Sequence, residues 1–316
     1  SFSCTGPIIG TLLVEAASQA SILGPAVGMG GFAIGLALPF GLFAFFPSLL
    51  KEMPQSGGWM NSVKVVLGFI ELILSLKFLS VADLAYGWRI LDREVFLSIW
   101  IVLFALLGMY LLGKLRFSHD SERRHTGVLG FFLAVASFSF AVYLVPGLWG
   151  APLKSISAFA PPLTTQDFNL YGGTFKEFHD YDEGMTYAAE NNLPVIVDFS
   201  GYACVNCRKM EGAVFDTQAV RDAIENGYVL IKLMVDDKES LAKPYSVEEY
   251  GSTTRISTVG DRWSYLQRHK FGINSQPYYV LLDNQGRPLA PARAYDENVD
   301  DFLDWLNRGA EAYKSR

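Results

Sequence analysis

Cysteine and histidine are scarce in this sequence of 316 residues. It holds only three cysteines and four histidines, the latter being His119, His125, His179 and His269. The histidines are scattered, without a pair at ligand spacing, and two close cysteines need two further ligands to hold zinc. Zinc is therefore the less favoured interpretation of the cysteines, and we expect neither a metal nor another cofactor.

Charged residues are almost absent from the first half of the chain. Residues 1–150 carry 9 Lys and Arg and 8 Asp and Glu, whereas residues 151–316 carry 17 and 24. The low charge of the first half indicates a membrane domain in contact with the lipid bilayer. The second half has the composition of an acidic aqueous domain, which argues against nucleic acid as a partner.

Five apolar segments follow one another in the first half. Each is near the length of about 20 residues that a membrane-spanning helix needs. The sequence predicts spans at about 5–22, 29–49, 65–82, 95–113 and 126–149. Residues 1–150 are therefore predicted to form a polytopic α-helical membrane domain. Because the sequence opens at Ser1 inside an apolar stretch and without methionine, we expect it to be part of a longer protein.

The distribution of Lys and Arg in the connections predicts the orientation of the spans. The connections at 51–64 and 114–125 are basic, whereas the cations of the 83–94 connection are offset by acidic residues. Short cytoplasmic loops carry an excess of Lys and Arg, so we place the 51–64 and 114–125 connections in the cytoplasm. The fifth span then carries everything after Trp149 to the opposite side.

The second half predicts a proline-rich linker and a small domain. Residues 151–170 are rich in proline, serine and threonine and are predicted to tether the domain formed by residues 171–316. In that domain we expect helices at about 182–192, 205–213, 217–226, 262–270 and 298–313, and strands at about 194–199, 228–235, 278–283 and 288–294. This alternation indicates an α/β sandwich. For the polar stretch 237–261, a plain surface loop and a segment that selects a partner are both open.

Cys204 and Cys207 are separated by two residues and follow an apolar strand. A cysteine at the start of a helix lies beside unpaired backbone N–H groups, which lower the pKa of its thiol. We predict that Cys204 is the attacking thiolate and that Cys207, one turn later, resolves a mixed disulfide. An inert structural disulfide is the alternative interpretation.

Two acidic residues and one proline stand out near the cysteines. Glu211 follows Cys207 by four residues, and Asp198 lies in the apolar strand before Cys204. A partly buried carboxylate at either position could exchange a proton with Cys207, although a solvated helix charge is the alternative for Glu211. Gln276-Pro277 enters a later strand, at the kind of bond where cis peptides occur.

The stretch CVNCRKME at residues 204–211 resembles the C-terminal domain of DsbD-type thiol:disulfide interchange proteins. The VDF sequence at 197–199 and the distant Gln276-Pro277 are similar to the thioredoxin fold. The SCTGP sequence at residues 3–7 resembles the second cysteine-bearing segment of that family's membrane domain. The resemblance covers nearly the whole chain, and 237–261 is its least matched part.

The resemblance implies an electron relay in the bacterial inner membrane. In that family, cytoplasmic thioredoxin reduces a cysteine pair of the multi-pass membrane domain, of which Cys4 would be one member. That pair reduces the CxxC of a periplasmic thioredoxin-like domain. The electrons then pass to periplasmic thiol-disulfide proteins, for which disulfide isomerases, cytochrome c maturation proteins and peroxide-reducing proteins are candidates.

Residue roles follow from the same resemblance. Cys204 and Cys207 match the attacking and resolving cysteines, and Asp198 and Glu211 match the acidic residues of the family. Pro277 matches its cis-proline. We expect partner docking at Gln276, Pro277 and Tyr202.

Two departures from the family pattern accompany the resemblance. Tyr202-Ala203 stands where the wider fold usually has tryptophan, and the partner of Cys4 is absent from the sequence. Two other functions stay open, namely a membrane-tethered reductase and a binding module, with the helices acting only as an anchor. A cysteine beside Gly6-Pro7 argues against a mere anchor, and the complete CxxC argues against a module that only binds.

Overall fold

The computed structural model describes residues 30, 31, 33–35, 37, 57–117, 126–168, 170, 176–249 and 251–315. Cys4 and the predicted span at 5–22 lie outside these residues, and so does most of the predicted span at 29–49. Ile73–Leu112 and Val128–Arg316 form one compact unit. The contacts between the later membrane helices, the linker and the C-terminal domain belong to this unit.

Three helices of the described chain are long and apolar enough to cross a membrane. They are α1 (Gly57–Tyr86), α2 (Arg93–Leu111) and α3 (Val128–Leu144), and a 3₁₀ turn at Val145–Trp149 extends the last one. They correspond to the third, fourth and fifth predicted spans. The prediction was wrong in treating all of 51–64 as a connection, because α1 already begins at Gly57.

Helices α2 and α3 pack closely because a small residue and a hydroxyl lie at their contact. A Cβ atom added at Gly108 would lie 2.7 Å from the ring of Phe138. Beside it, the Ser137 hydroxyl donates a hydrogen bond to the backbone oxygen of Phe104 at 2.6 Å. The ring of Phe104 meets that of Phe140 edge-on, with 4.6 Å between centroids. A hydroxyl bonded to a backbone carbonyl is satisfied without water, as the membrane interior requires.

A buried carboxylate fixes the connection between α1 and α2. Asp83 accepts hydrogen bonds from the backbone N–H groups of Ile90 at 3.0 Å and Leu91 at 2.9 Å. These bonds satisfy donors that no helix or strand satisfies. They hold the chain in place just before Arg93, the first residue of α2.

The predicted linker, residues 151–170, is packed against its surroundings. It contains 3₁₀ turns at Lys154–Ile156 and Leu163–Thr165. Leu153 and Ile156 are buried, and a Cβ atom added at Gly212 of the C-terminal domain would lie 2.9 Å from Ser157. Its prolines lie in or beside short turns, and the buried apolar side chains of this segment face inward.

The C-terminal domain is an α/β sandwich. Its strands are β1 (Glu177–Phe178), β2 (Val195–Ser200), β3 (Val229–Met234), β4 (Ser240–Glu249), β5 (Ser252–Thr258) and β6 (Tyr278–Leu282). Its helices are α4 (Tyr181–Asn191), α5 (Val205–Met210), α6 (Gln218–Gly227), α7 (Val259–Phe271) and α8 (Val299–Lys314). The main sheet has the order β1-β3-β2-β6, with β6 antiparallel to β2 and the others parallel.

Helices cover both faces of this sheet, so its central strands are buried along their whole length. Helices α4 and α7 pack on one face, and α6 and α8 pack on the other. Every residue of β2 and β3 is buried. Their nearly continuous apolar runs follow from this two-sided burial, and any charged residue within them is confined to the interior.

Two predictions for this domain were wrong, and one open alternative is excluded. The polar stretch 237–261 contains the antiparallel pair of β4 and β5 and the start of α7, so it is not a plain loop, and a role in selecting a partner stays a prediction. The predicted strand at 288–294 forms two single backbone bridges, because Pro288 and Pro291 lack the N–H groups that a ladder needs. The helix predicted at 205–213 ends as an α-helix at Met210 and continues as a π-helical turn, Glu211–Phe215.

Candidate functional site

The cysteine pair lies where strand β2 ends and helix α5 begins. Cys204 is the N-cap residue of α5, and its sulfur accepts a hydrogen bond from the backbone N–H of Cys207 at 3.1 Å. The two cysteines form a disulfide. Cys204 is partly exposed, whereas Cys207 is only 1% exposed. This difference suits Cys204 to attack from outside and Cys207 to react only with its neighbour.

The loop before the disulfide is held by one carboxylate from the segment after β3. Asp236 accepts hydrogen bonds from the backbone N–H groups of Tyr202 at 2.8 Å and Ala203 at 2.9 Å. The Tyr202 hydroxyl donates to Asp237 at 3.4 Å. Burial and the two neighbouring carboxylates raise the pKa of Tyr202 to about 12, so it stays a neutral donor. Tyr202 therefore orders the loop as well as being a predicted docking residue.

The predicted proline lies at the same end of the sheet. The Gln276–Pro277 bond is cis, as the resemblance implies. Tyr278, the next residue, pairs with Phe199 in β2, which places Pro277 beside the end of β2 that leads into the CxxC loop. The Gln276 side chain donates to that of Gln267 at 3.0 Å. The cysteines and the residues expected to dock a partner thus share one edge of the domain.

Asp198 lies in the interior beneath the disulfide loop. It is 3% exposed and pairs across the sheet with Lys232 on one side and Tyr279 on the other. Burial, which disfavours the charged form, raises the pKa of Asp198 to about 7 although Lys232 opposes the rise. A carboxyl with this pKa can accept or give up a proton at neutral pH.

Glu211 takes part in a buried ion-pair cluster. Its carboxylate contacts Arg208 Nη1 at 2.7 Å and Lys232 Nζ at 2.6 Å, and Lys232 lies 3.6 Å from Glu177. The alternative of a solvated helix charge is wrong, since the Glu211 side chain is 24% exposed and bonded to two cations. Burial favours a raised pKa for Glu211, but the cations outweigh it and hold this pKa below its ordinary value.

Four charged residues of this site were not predicted from the sequence. They are Glu177, Arg208, Lys232 and Asp236. The signal for Lys232 was present, because a lysine inside an apolar strand is as unusual as the aspartate that was noticed. Glu177 and Asp236 gave no signal, because their roles depend on strand register and on loop conformation. In the described part of the chain, no group of three or more His, Cys, Asp or Glu side chains is arranged to hold a metal.

Comparison with known proteins defines the class of this domain and its relatives. Residues 181–310 match the model of the thioredoxin-like domain family. Most of the chain is similar to thiol:disulfide interchange proteins DsbD. The relative from Pseudoalteromonas atlantica is 23% identical over 81% of this chain, and that from Actinobacillus pleuropneumoniae is 24% identical over 96%. The relative from Haemophilus influenzae is 27% identical over 96%.

The similarity confirms the predicted resemblance to DsbD-type proteins and the predicted fold class, with apolar helices followed by a thioredoxin-like domain. The chain spans 39% to 45% of the length of these relatives. Among solved structures, an oxidoreductase named DsbH aligns with 48% of this chain at 15% identity and a TM-score of 0.32.

Proposed function

We propose that this chain is a protein-disulfide reductase that works by thiol–disulfide exchange at Cys204 and Cys207. The observation that carries the proposal is the disulfide at the N-terminus of α5, together with a buried carboxyl of pKa about 7 in the strand that leads to it. The DsbD relatives, which are named as thiol:disulfide interchange proteins, support the same chemistry.

The exchange needs two steps and no further cofactor. In the reduced domain, the Cys204 thiolate attacks a disulfide of the partner, and one partner sulfur leaves as a thiolate. Cys207 then gives its proton to a buried carboxylate, and its sulfur attacks Cys204. The Cys204–Cys207 disulfide forms as the bond to the partner breaks, and the second partner sulfur leaves as a thiolate.

We further propose that the domain is one station of a relay across the bacterial inner membrane. Electrons would enter from cytoplasmic thioredoxin, pass through a membrane cysteine pair that includes Cys4, and reach the CxxC in the periplasm. Electron transport to periplasmic thiol-disulfide proteins, including those of cytochrome c biogenesis, follows from the same proposal. The apolar helices and the relatives support a membrane location, and the basic 114–125 connection favours a periplasmic domain.

The rival function is a membrane-tethered reductase or binding module with the helices as anchor. Backbone contact between the domain and the end of α1 favours the relay, since the Lys238 N–H donates to the Ala85 oxygen at 2.7 Å. A domain that works on a free tether has no need of such a contact.

The exchange step is tested with the reduced full chain in detergent and a protein disulfide as oxidant. Cys204→Ala should lower the rate at which partner thiols appear by at least about 100-fold, because the nucleophile is lost. Cys4→Ser is the matched control, and it should leave this step unchanged because the electrons are already in the domain. Retained reduction in Cys204→Ala would refute the proposed function.

A further inference from the structure

A cavity of about 70 Å³ lies between the buried carboxylates of the dithiol site and the membrane half of the chain. Asp198 and Glu211 line one side of it. The other side is lined by Arg93 and by linker residues between positions 152 and 164. A side chain from the start of a membrane helix therefore faces the acidic groups that lie beneath the CxxC.

Arg93 is a buried cation with little local compensation. It is 5% exposed, and its Nη1 atom donates to the backbone oxygen of Pro161 at 2.5 Å. Its Nε atom has no hydrogen-bond partner among the described residues. A guanidinium removed from water needs negative charge nearby, and a single carbonyl does not supply it. Asp216 and Glu211 across the cavity act on Arg93 most strongly, and its neighbour Glu94 on α2 acts less strongly.

The cluster across the cavity contains two cations and two carboxylates that balance each other. Arg208 and Lys232 both contact Glu211, and Lys232 also lies near Glu177. Their charges cancel in pairs. The set therefore has no positive charge left over for a third carboxylate.

Asp198 is that third carboxylate, and Arg93 is the third cation. The nearby Asp216 is already paired with Arg221 at 3.1 Å. The other ionisable groups around the cluster are Glu94 beside Arg93, Lys77 near Arg208, Lys154 near Asp216 and Tyr279 across the sheet from Asp198. Within the set of three cations and three carboxylates, the charges balance when Asp198 is ionised; without Arg93, ionisation of Asp198 leaves one negative charge of the set uncompensated.

We propose that Arg93 is a positioning residue of the dithiol site that reaches it from the membrane half. It favours the ionised form of Asp198, the carboxylate that accepts the Cys207 proton. The inference rests on the proposed exchange function. In the resolving step the Cys207 proton moves to a carboxylate oxygen, and the Cys207 sulfur attacks Cys204. The new disulfide forms as the partner thiolate leaves, so no other oxidant or reductant is needed.

The arrangement links the position of the domain to its reactivity. Arg93 belongs to the membrane half and the carboxylates belong to the thioredoxin-like domain, so the charge balance exists only while the two are in contact. Burial favours a raised pKa for Glu211, and Arg208, Lys232 and Arg93 together lower it. Resolution by Cys207 is therefore faster in the docked domain than in a separated one.

The test uses the reduced full chain carrying Cys4→Ser and the small aromatic disulfide dithiobis(nitrobenzoate). Attack by Cys204 releases one coloured thiolate, and resolution by Cys207 releases the second. Arg93→Gln should move the pH midpoint of the second phase upward by about half a unit or more, which slows it about threefold below the midpoint. Arg93→Lys should restore the parent midpoint. Arg89→Gln, at an exposed position in the same connection, should not change it.

Arg93→Met, of similar length and without charge, replaces Arg93→Gln if the latter does not fold. A second phase with the parent midpoint in the uncharged variant would overturn the inference. Equal slowing of both phases without a midpoint shift would also overturn it, because that result indicates a structural role. Failure of the parent chain to release thiolate in two phases would instead refute the proposed function.

Discussion

Asp198 is the residue whose environment departs furthest from that of a surface carboxyl. Its Oδ1 atom has no hydrogen-bond partner among the described residues, and burial raises its pKa to about 7. The protonated form is therefore favoured in the folded domain between the ordinary pKa of an aspartate, about 4, and pH 7. Such a group lowers the stability of the fold but can transfer a proton at neutral pH. Groups with shifted pKa values of this kind are common at active sites.

Replacement of Asp198 should separate these two effects. The unfolded chain ionises above about pH 4 while the folded domain keeps its proton to about pH 7, so the parent loses stability as pH rises through this window. Asp198→Asn removes the loss. Thermal unfolding of the full chain in detergent should therefore show a variant whose Tm exceeds that of the parent by an amount that grows from about pH 4 to pH 7 and is constant above.

The same variant should resolve mixed disulfides at least about tenfold more slowly at neutral pH, because an amide cannot accept the Cys207 proton. A Tm difference that is the same at all pH values would show that the carboxyl is not buried as described.

At the residue scale, a residue that contradicts its local pattern could be singled out from the sequence. An aspartate in an apolar strand and two cysteines after it pointed to Asp198, Cys204 and Cys207, of which the structure shows the burial and the disulfide, while their roles stay predictions. Lys232 also contradicts its apolar strand, but its contact with Glu211 could not be found in this way. Lys232 reaches Glu211 from β3, so the contact depends on how that strand lies against the π-helical turn, which local patterns do not specify.

At the scale of elements, the start of α7 packs against residues 235–237, the segment whose Asp236 holds the CxxC loop. A Cβ atom added at Gly260 would lie 2.6 Å from the backbone nitrogen and oxygen of Asp237 and 2.7 Å from the oxygen of Val235. These contacts involve backbone atoms, which cannot move aside as a flexible side chain can. Asp236, which lies between Val235 and Asp237, accepts hydrogen bonds from two backbone N–H groups of the CxxC loop. Packing of α7 is thus transmitted to the dithiol site.

Gly260→Ala should therefore destabilise the domain by about 2 kcal/mol, in the range that overpacking costs. We expect the Tm of the full chain in detergent to fall by about 5 °C. Gly227→Ala is the matched control, because Gly227 ends α6 and a Cβ atom there meets nothing within 4 Å. Equal Tm values for the two variants would contradict the close approach of α7.

Element-scale prediction from the sequence was accurate for periodic segments and poor for polar ones. Helices α4, α6, α7 and α8 lie within three residues of their predicted bounds. The β4–β5 pair was missed because most of its residues are exposed, so no alternation of apolar and polar residues marks it. The π-helical turn at Glu211–Phe215 was missed because its composition is that of an ordinary helix.

At the scale of the whole molecule, the thioredoxin-like domain contacts the helix ends that the charge pattern places on its own side. The Lys238 N–H donates a hydrogen bond to the Ala85 oxygen at the end of α1. Arg93, at the start of α2, donates one to the backbone oxygen of Pro161 in the linker. Sequence patterns predicted a common side for these segments but not their contact, because packing of a linker depends on surfaces that are distant in sequence.

Cross-linking tests this contact. In a chain whose native cysteines are replaced by serine, Ala85→Cys with Lys238→Cys should form a disulfide on mild oxidation, because backbones in hydrogen-bond contact bring the Cα atoms within the roughly 4.4–6.8 Å that a disulfide spans. Ala85→Cys with Lys243→Cys, the latter exposed on β4, should not. Mass spectrometry of the peptides distinguishes the pairs. Equal yields would show that the domain does not rest against α1.

The central claim is that Cys204 forms a mixed disulfide with a partner protein and that Cys207 resolves it and releases the partner. It is tested most directly by Cys207→Ala in the full chain within its membrane. Acid stops thiol–disulfide exchange, the free thiols are then alkylated, and the sample is analysed by non-reducing electrophoresis. We predict that covalent complexes with thiol-disulfide proteins accumulate through Cys204, vanish on reduction, and are absent from Cys204→Ala. If Cys207→Ala accumulates no mixed disulfide, the assigned roles of the two cysteines are wrong.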